Sequence, residues 1–250
     1  MDSRGKAGKA TLKPEALRAL VALLLLTSAI WAFSLSPVFH ISNIIVRGNY
    51  FSEPDFLAET LDPDKLGNIF LVSTKGLKGR LQKHPWIQDV KIKRRLPQTL
   101  EVYLTETHPV AALVTGNGFI LLNEKGLAIA KSDQLSPYGV PALTLDMLVP
   151  FQIGEELKIP GLKGALQILN QFALTGLPIS ISEANLSLDL QLVLYCKGGS
   201  IIEWGSLERR QEKIDILQVI LSEGAADLDG AFLINLSNST GPSVKFEPVK

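Results

Sequence analysis

The sequence predicts an α+β protein with a single N-terminal transmembrane helix, a small strand–helix–helix–strand–strand domain, and a mixed antiparallel β domain with helices on one face. Three observations predict it. An uncharged apolar run lies near the N-terminus, two strands of strict period two follow two helix signals, and a longer turn-punctuated stretch of strands is broken by two amphipathic helices. The 250 residues allow one or two globular domains. With 46% hydrophobic and 20% charged residues the chain is neither disordered nor fibrous. Its 25 basic residues balance its 25 acidic ones, which argues against a general nucleic-acid binder. The one cysteine, Cys196, excludes an internal disulfide and any CxxC site.

From Ala19 to Leu35 the chain reads ALVALLLLTSAIWAFSL without a charge. Carried on to Ser36, a helix over 19–36 reaches ~27 Å, close to the ~30 Å hydrocarbon core of a bilayer. Residues 1–18 hold Arg4, Lys6, Lys9, Lys13 and Arg18 against Asp2 and Glu15, a basic tail that holds this end in the cytoplasm and exports the rest. Trp31 and Phe33 suit the interfacial aromatic belt, or simply extend the apolar run. A cleaved signal peptide is the rival reading. Its small residues, Thr27-Ser28-Ala29, sit inside the apolar run, which favours an uncleaved anchor. Cys196, exported under either reading, is expected as a buried small hydrophobe.

The first exported block covers 37–108. Ile44 and Val46 share one face of a strand that ends at the turn Arg47-Gly48-Asn49. Ser52 with Asp55 resembles a capping box, and the helix behind it carries Phe56, Leu57, Thr60 and Leu61 before stopping at Asp62-Pro63. A second helix is expected over 73–83, with Leu77 and Leu81 one turn apart. Trp86, Gln88, Val90 and Ile92 then alternate with Ile87, Asp89, Lys91 and Lys93, and Leu100, Val102 and Leu104 alternate with Glu101, Tyr103 and Thr105. The short polar link Arg94–Gln98 makes these two strands a hairpin.

The second block covers 109–250. Ala111–Thr115 and Phe119–Leu122 flank a Gly116-Asn117-Gly118 turn, and Asn123–Gly126 turns into a strand over 127–130. A proline-punctuated loop leads to a helix carrying Leu162, Ala165, Leu166, Leu169, Phe172 and Ala173. Leu186 to Cys196 alternates as one bent strand or as two with a turn near Asp189. Gly198-Gly199 precedes a strand over 200–204, and Leu207, Ile214, Leu217 and Leu221 stripe a second helix that ends at Gly224. Strands at 232–236 and 243–246 close the chain around Asn238-Ser239-Thr240-Gly241. This block reads as an antiparallel sheet with helices on one side.

Reactive constellations are missing from the pattern. His40, His84 and His108 lie in different elements and form no HExxH, so neither a metal nor any other cofactor is expected. Asp62 with Asp64, and Glu155 with Glu156, are acids too close in sequence to straddle a scissile bond. There is no GxSxG, P-loop or GxGxxG. Lys91, Lys93, Arg94 and Arg95 read as a solvated strand face, or else as a site for an acidic partner or lipid headgroups. Arg209, Arg210 and Lys213 read as the wet side of an amphipathic helix.

At Val46-Arg47-Gly48-Asn49, His84-Pro85-Trp86-Ile87-Gln88-Asp89-Val90 and Arg95-Leu96-Pro97-Gln98-Thr99-Leu100 the sequence looks like a POTRA domain. With Glu106-Thr107-His108-Pro109-Val110-Ala111 and Leu121-Leu122-Asn123-Glu124-Lys125-Gly126 behind these, and a basic-flanked helix in front, the chain resembles the FtsQ/DivIB family of bacterial division proteins. The likeness is specific through the first block, and after Pro141 it rests on element order. POTRA domains attached to membrane barrels are excluded, because ~140 residues with two helices leave no room for such a barrel. The resemblance implies a non-catalytic divisome scaffold in the cell inner membrane at the septum, with its N-terminus cytoplasmic and its later domains periplasmic. It implies FtsB- and FtsL-type partners, other divisome components, and a part in regulating septal peptidoglycan synthesis. It also places partner binding, by strand addition, at the last edge strand, here Asn238, Ser239, Gly241, Ser243, Val244, Lys245 and Phe246. Phe246 stands where an aromatic anchor is expected, while Asn238 replaces another aromatic. Pro242 suits an edge by removing a donor, and inward packing is the alternative role for Val244 and Phe246. The alternatives of another class are a membrane-anchored envelope hydrolase and a secreted binding module with a cleaved signal peptide.

Overall fold

The computed structural model describes residues 14–135, 138–147, 149–223, 232–238 and 241–245. They divide into two compact units, the first built from residues up to Asn49, Glu53–Leu81 and Val90–Leu104, the second from Tyr50–Ser52, Gln82–Asp89 and Thr105 onward.

The first unit opens with α1, Pro14–Ser34, none of whose residues is buried. It is the one helix among the described residues long and apolar enough to cross a membrane. It starts before Ala19 because Pro14 and Glu15 suit a first turn. It stops short of Ser36 because that residue caps a 3-10 turn over Pro37–Phe39, its hydroxyl accepting from Val38 N at 3.5 Å. At 21 residues the helix spans ~31 Å.

Behind it, β1 (Asn43–Arg47) runs parallel to β3 (Thr99–Glu106), and β2 (Ile87–Arg95) completes the sheet order β1-β3-β2. Leu100, Val102 and Leu104 are buried, as their alternation predicts. Helices α2 (Pro54–Thr60), α3 (Pro63–Leu66) and α4 (Thr74–Leu81) contribute Leu57, Leu66, Leu77 and Leu81 to the core. One expectation changes here. Ser52 is not a helix cap: Glu53 occupies that position without a side-chain cap bond. The helix stops ahead of Asp62-Pro63 as expected, with Leu61 at its C-cap, and a further element follows: the Asp62 carboxylate accepts from Asp64 N at 3.0 Å and Pro63 opens the one-turn α3.

The second unit holds a sheet of order β12-β11-β10-β9-β8-β7-β4-β5-β6. Its strands are β4 (Ala111–Thr115), β5 (Gly118–Leu122), β6 (Ala128–Ser132), β7 (Ala142–Leu145), β8 (Ile181–Leu186), β9 (Gln191–Cys196), β10 (Ile201–Ser206), β11 (Leu233–Asn235) and β12 (Ser243–Lys245). The sheet is mixed rather than antiparallel throughout, since β4–β7, β7–β8 and β10–β11 are parallel. Two of those pairings follow from helices that return the chain to the same end: α5 (Leu162–Thr175) lies between β7 and β8, and α6 (Arg210–Glu223) between β10 and β11. The stretch from Leu186 to Cys196 resolves into the end of β8 and all of β9, with Leu190 at φ +59° in the turn between them.

Leu166, Leu169 and Phe172 of α5 and Ile214, Leu217 and Leu221 of α6 pack on one face against Ile120, Leu122, Leu194 and Trp204. Each such side chain contributes ~1.5–3 kcal/mol on burial. The opposite face of β4–β6 is covered as well. There Trp86 packs with Ala112, Leu121 and Ile129, and its ring stacks on Phe51 at 4.8 Å and Tyr138 at 6.3 Å between centroids. Burial on both faces explains why β4–β6 read as continuous apolar runs rather than alternating ones.

Candidate partner-binding edge

The two margins of the large sheet differ. At β6 the first residues are already paired: Ala128 N donates to Glu155 O (3.0 Å), Gly154 N to Ala128 O (2.8 Å), and Leu127 bridges Glu156. At the other margin β12 pairs with β11 alone, Leu233 opposite Lys245, Ile234 opposite Val244 and Asn235 opposite Ser243. Among the described residues no strand pairs with the outer side of β12. A row of main-chain groups is therefore on offer there.

What holds this margin in place starts at Trp204 and Gly205. The β9–β10 register shifts between Glu203 and Gly205. A glycine is required at 205: φ is +73°, and a Cβ would lie 2.6 Å from Ser237 Cα. The carbonyls on either side of Gly205 are taken by Lys213 of α6, whose ammonium donates to Trp204 O at 2.7 Å and Ser206 O at 2.9 Å and sits 5.6 Å from the Trp204 ring centre. Lys213 is 2% exposed, so it does not lie on the wet side of its helix, and the exposed Arg209 precedes that helix, at φ +50°. Burial lowers its pKa, against the raising influence of Glu208 and Glu212. Trp204 in turn meets Phe172 edge-on at 5.9 Å. Next along, Leu236 N donates to Glu203 O (2.8 Å), Asn235 Nδ2 donates to the Glu203 carboxylate, and Asn235 Oδ1 accepts from Ser237 N and Oγ. A bulge filled by an ammonium thus sets the position of the last hairpin.

Five of the seven residues expected at the contact fall together on that hairpin. Asn238 and Gly241 close its turn, Gly241 N donating to Asn238 O at 3.2 Å, and Ser243, Val244 and Lys245 form β12. Ser239 and Phe246 lie outside the described residues. Ser243 and Lys245 are exposed, whereas Val244 packs against the helix-covered core and holds β12 on. The sequence reading missed Gly205 and Lys213. A glycine inside an otherwise apolar strand was the available signal for the first. For the second it was a lysine four residues before Leu217 on the apolar stripe.

The other candidates have structural roles. Asp62 caps α3 and pairs with Lys65 at 3.5 Å. Glu155 and Glu156 belong to the segment on β6 and line a cavity of about 450 Å³ with Phe151, Leu157 and Ile159. In the basic run, Arg94 donates to Ile69 O and Val72 O, Arg95 pairs with Glu101 at 3.2 Å, and Lys93 lies 5.3 Å from the Tyr103 ring centre. Cys196 is buried as expected, and burial pushes its thiol up to about 11. Among the described residues no three His, Cys, Asp or Glu side chains converge on a common point.

Residues 39–107 match the family described as the POTRA domain, FtsQ-type. Those residues are similar to an FtsQ-type POTRA domain. The motifs at 46–49, 84–90 and 95–100 all fall inside the match, so the resemblance to the FtsQ/DivIB family holds. The cell division protein DivIB of Clostridium acetobutylicum is 24% identical over 197 residues, 78% of this chain and 78% of that protein. FtsQ of Anaeromyxobacter sp. is 28% identical over 185 residues, 73% of this chain and 62% of that one. FtsQ of Rickettsia felis is 29% identical over 113 residues, 45% of this chain and 42% of the relative. The extracytoplasmic domain of DivIB from Geobacillus stearothermophilus covers 50% of this chain and 98% of its own, at 16% identity and a TM-score of 0.33, too loosely to carry residues across.

Proposed function

We propose that this protein is a membrane-anchored, non-catalytic component of the cell division machinery that recruits FtsB- or FtsL-type partners by strand addition to β12. The observation that carries the reading is the unequal pair of sheet margins, β6 capped by 154–157 and β12 paired on one side among the described residues. Similarity to division proteins along most of the chain supports the setting. An incoming strand takes most of its affinity from main-chain hydrogen bonds and its selectivity from alternate side chains, which here are Ser243 and Lys245. In this reading the basic tail stays in the cytoplasm, α1 crosses the inner membrane at the septum, and both folded units lie in the periplasm, where partner binding helps time septal peptidoglycan synthesis.

A photo-crosslinking residue placed at Lys245 should capture a division partner in growing cells, and the same group at Lys131 on β6 should capture none. Both side chains are exposed, so accessibility is matched. Capture from Lys131 and not Lys245 would reverse the assignment of the margin.

A further inference from the structure

We propose that the turn from Asn68 to Val72 in the first unit seats in the lipid headgroup layer at the C-terminal end of α1, so that the POTRA domain touches the membrane surface beside its own anchor. The inference rests on α1 crossing a bilayer, and its test separates the two.

The turn reads Asn68-Ile69-Phe70-Leu71-Val72. Its outer pair is buried, Ile69 at 0% and Val72 at 7%, while the tip is exposed, Phe70 at 43% and Leu71 at 67%. This is no loose loop. Asn68 Oδ1 accepts from Phe70 N (2.9 Å), Asn68 O accepts from Leu71 N (3.1 Å) and Val72 N (2.9 Å), and Arg94 holds Ile69 O (2.7 Å) and Val72 O (2.8 Å). Two large apolar side chains are therefore presented outward on a hydrogen-bonded frame. In water that arrangement has no compensation.

The frame is fastened to the end of α1. Asn68 Nδ2 donates to Ser34 O at 2.8 Å, and Ile69 N donates to Phe39 O at 2.9 Å. Ser34 O is one of the last carbonyls of the helix, which have no partner within it and are costly near hydrocarbon. Phe39 meets Phe33 of α1 at 5.3 Å and Phe70 of the turn at 4.9 Å, so aromatic contact runs from the helix to the tip. A second apolar tip lies at the same end of the small sheet. Ser42 N and Asn43 N donate to Gln98 O, which brings the Arg95–Gln98 turn, with Leu96 56% exposed, to the end where the chain arrives from α1. Apolar and aromatic tips beside the end of a spanning helix fit the interfacial layer, where such rings are enriched.

The test uses the full chain in vesicles of phosphatidylethanolamine and phosphatidylglycerol. An environment-sensitive fluorophore is attached through Leu71→Cys, through Leu25→Cys within α1, or through Arg47→Cys, about 13 Å along β1 from Asn43 at ~3.3 Å per residue. Buried Cys196 stays unlabelled. A lipid quencher carried near the headgroup should quench the label at 71 several-fold more than at 47, with a blue-shifted emission at 71. Quenching at 25 by a deep quencher, with 71 no different from 47, would reject the turn and leave the anchor standing. No quenching at 25 would remove the anchor and the turn together. A label at 71 shielded only when division partners are reconstituted alongside would assign the turn to a protein and overturn the lipid contact.

Discussion

Glu106 shows how much one buried charge can organise. It is 6% exposed, and its carboxylate accepts from Tyr50 N (2.9 Å), Phe51 N (2.8 Å), Ser52 N (2.8 Å) and the Ser52 hydroxyl. Burial alone would raise its pKa, yet these four donors together hold it below the ordinary 4.5. The folded state therefore favours the ionised form. Its stabilisation is complete above the ordinary carboxylate value and is lost as pH falls through the lower folded value. Glu106→Gln should lower the melting temperature of the detergent-solubilised chain at neutral pH by an amount equivalent to about 1–3 kcal/mol. It should also flatten the loss of stability on the acid side, and an unchanged acid limb would show that another group titrates there. The sequence hid this role, because Ser52 followed by Asp55 spells a helix cap and nothing local links residue 52 to residue 106. Lys213 was hidden for a related reason: its partners are main-chain carbonyls exposed by a bulge, which no side-chain pattern reports.

Among the elements, the β11–β12 hairpin depends on a contact between two stretches of backbone. Gly205→Ala would put a methyl 2.6 Å from Ser237 Cα on a residue at φ +73°, at a cost of ~1–3 kcal/mol for the conformation alone. The expected result is faster hydrogen exchange at Leu236 N, which donates to Glu203 O, together with weaker partner capture. Protection within β8 and β9 should persist, and uniform loss of protection would mean that the substitution unfolds the unit as a whole. Elements with strong periodicity were legible in advance, α5 and β3 above all. Two short ones were not. β7 has four residues behind Pro141, too few for the alternation of Leu143 and Leu145 with Ala142 and Thr144 to stand out from the loop around it. α3 is a single turn whose opening proline reads as a stop.

For the whole molecule, the sequence reading divides the exported part at His108, and we propose that each side of that cut folds separately. The second unit nevertheless recruits Tyr50–Ser52 and Gln82–Asp89. A fragment over 109–250 lacks Trp86, which covers Ala112, Leu121 and Ile129. Such a fragment should keep its far-ultraviolet circular dichroism, bind a hydrophobic dye, and melt below the full chain. A fragment as stable as the full chain would show that this cover is dispensable. Distances of this kind, between residue 86 and residues 112 to 129, are where reading from local pattern stops.

The strip at 154–157 has one more effect. A flat sheet with two bare rims can stack copies end on end without limit, which is how fibres grow. With the start of β6 occupied, two molecules that meet rim to like rim, β12 against β12, form a closed pair rather than the first step of an open stack. A strip that returns to the sheet from beyond β7 thus shields the start of one border and leaves the far border, at β12, as the one where like copies can meet in register.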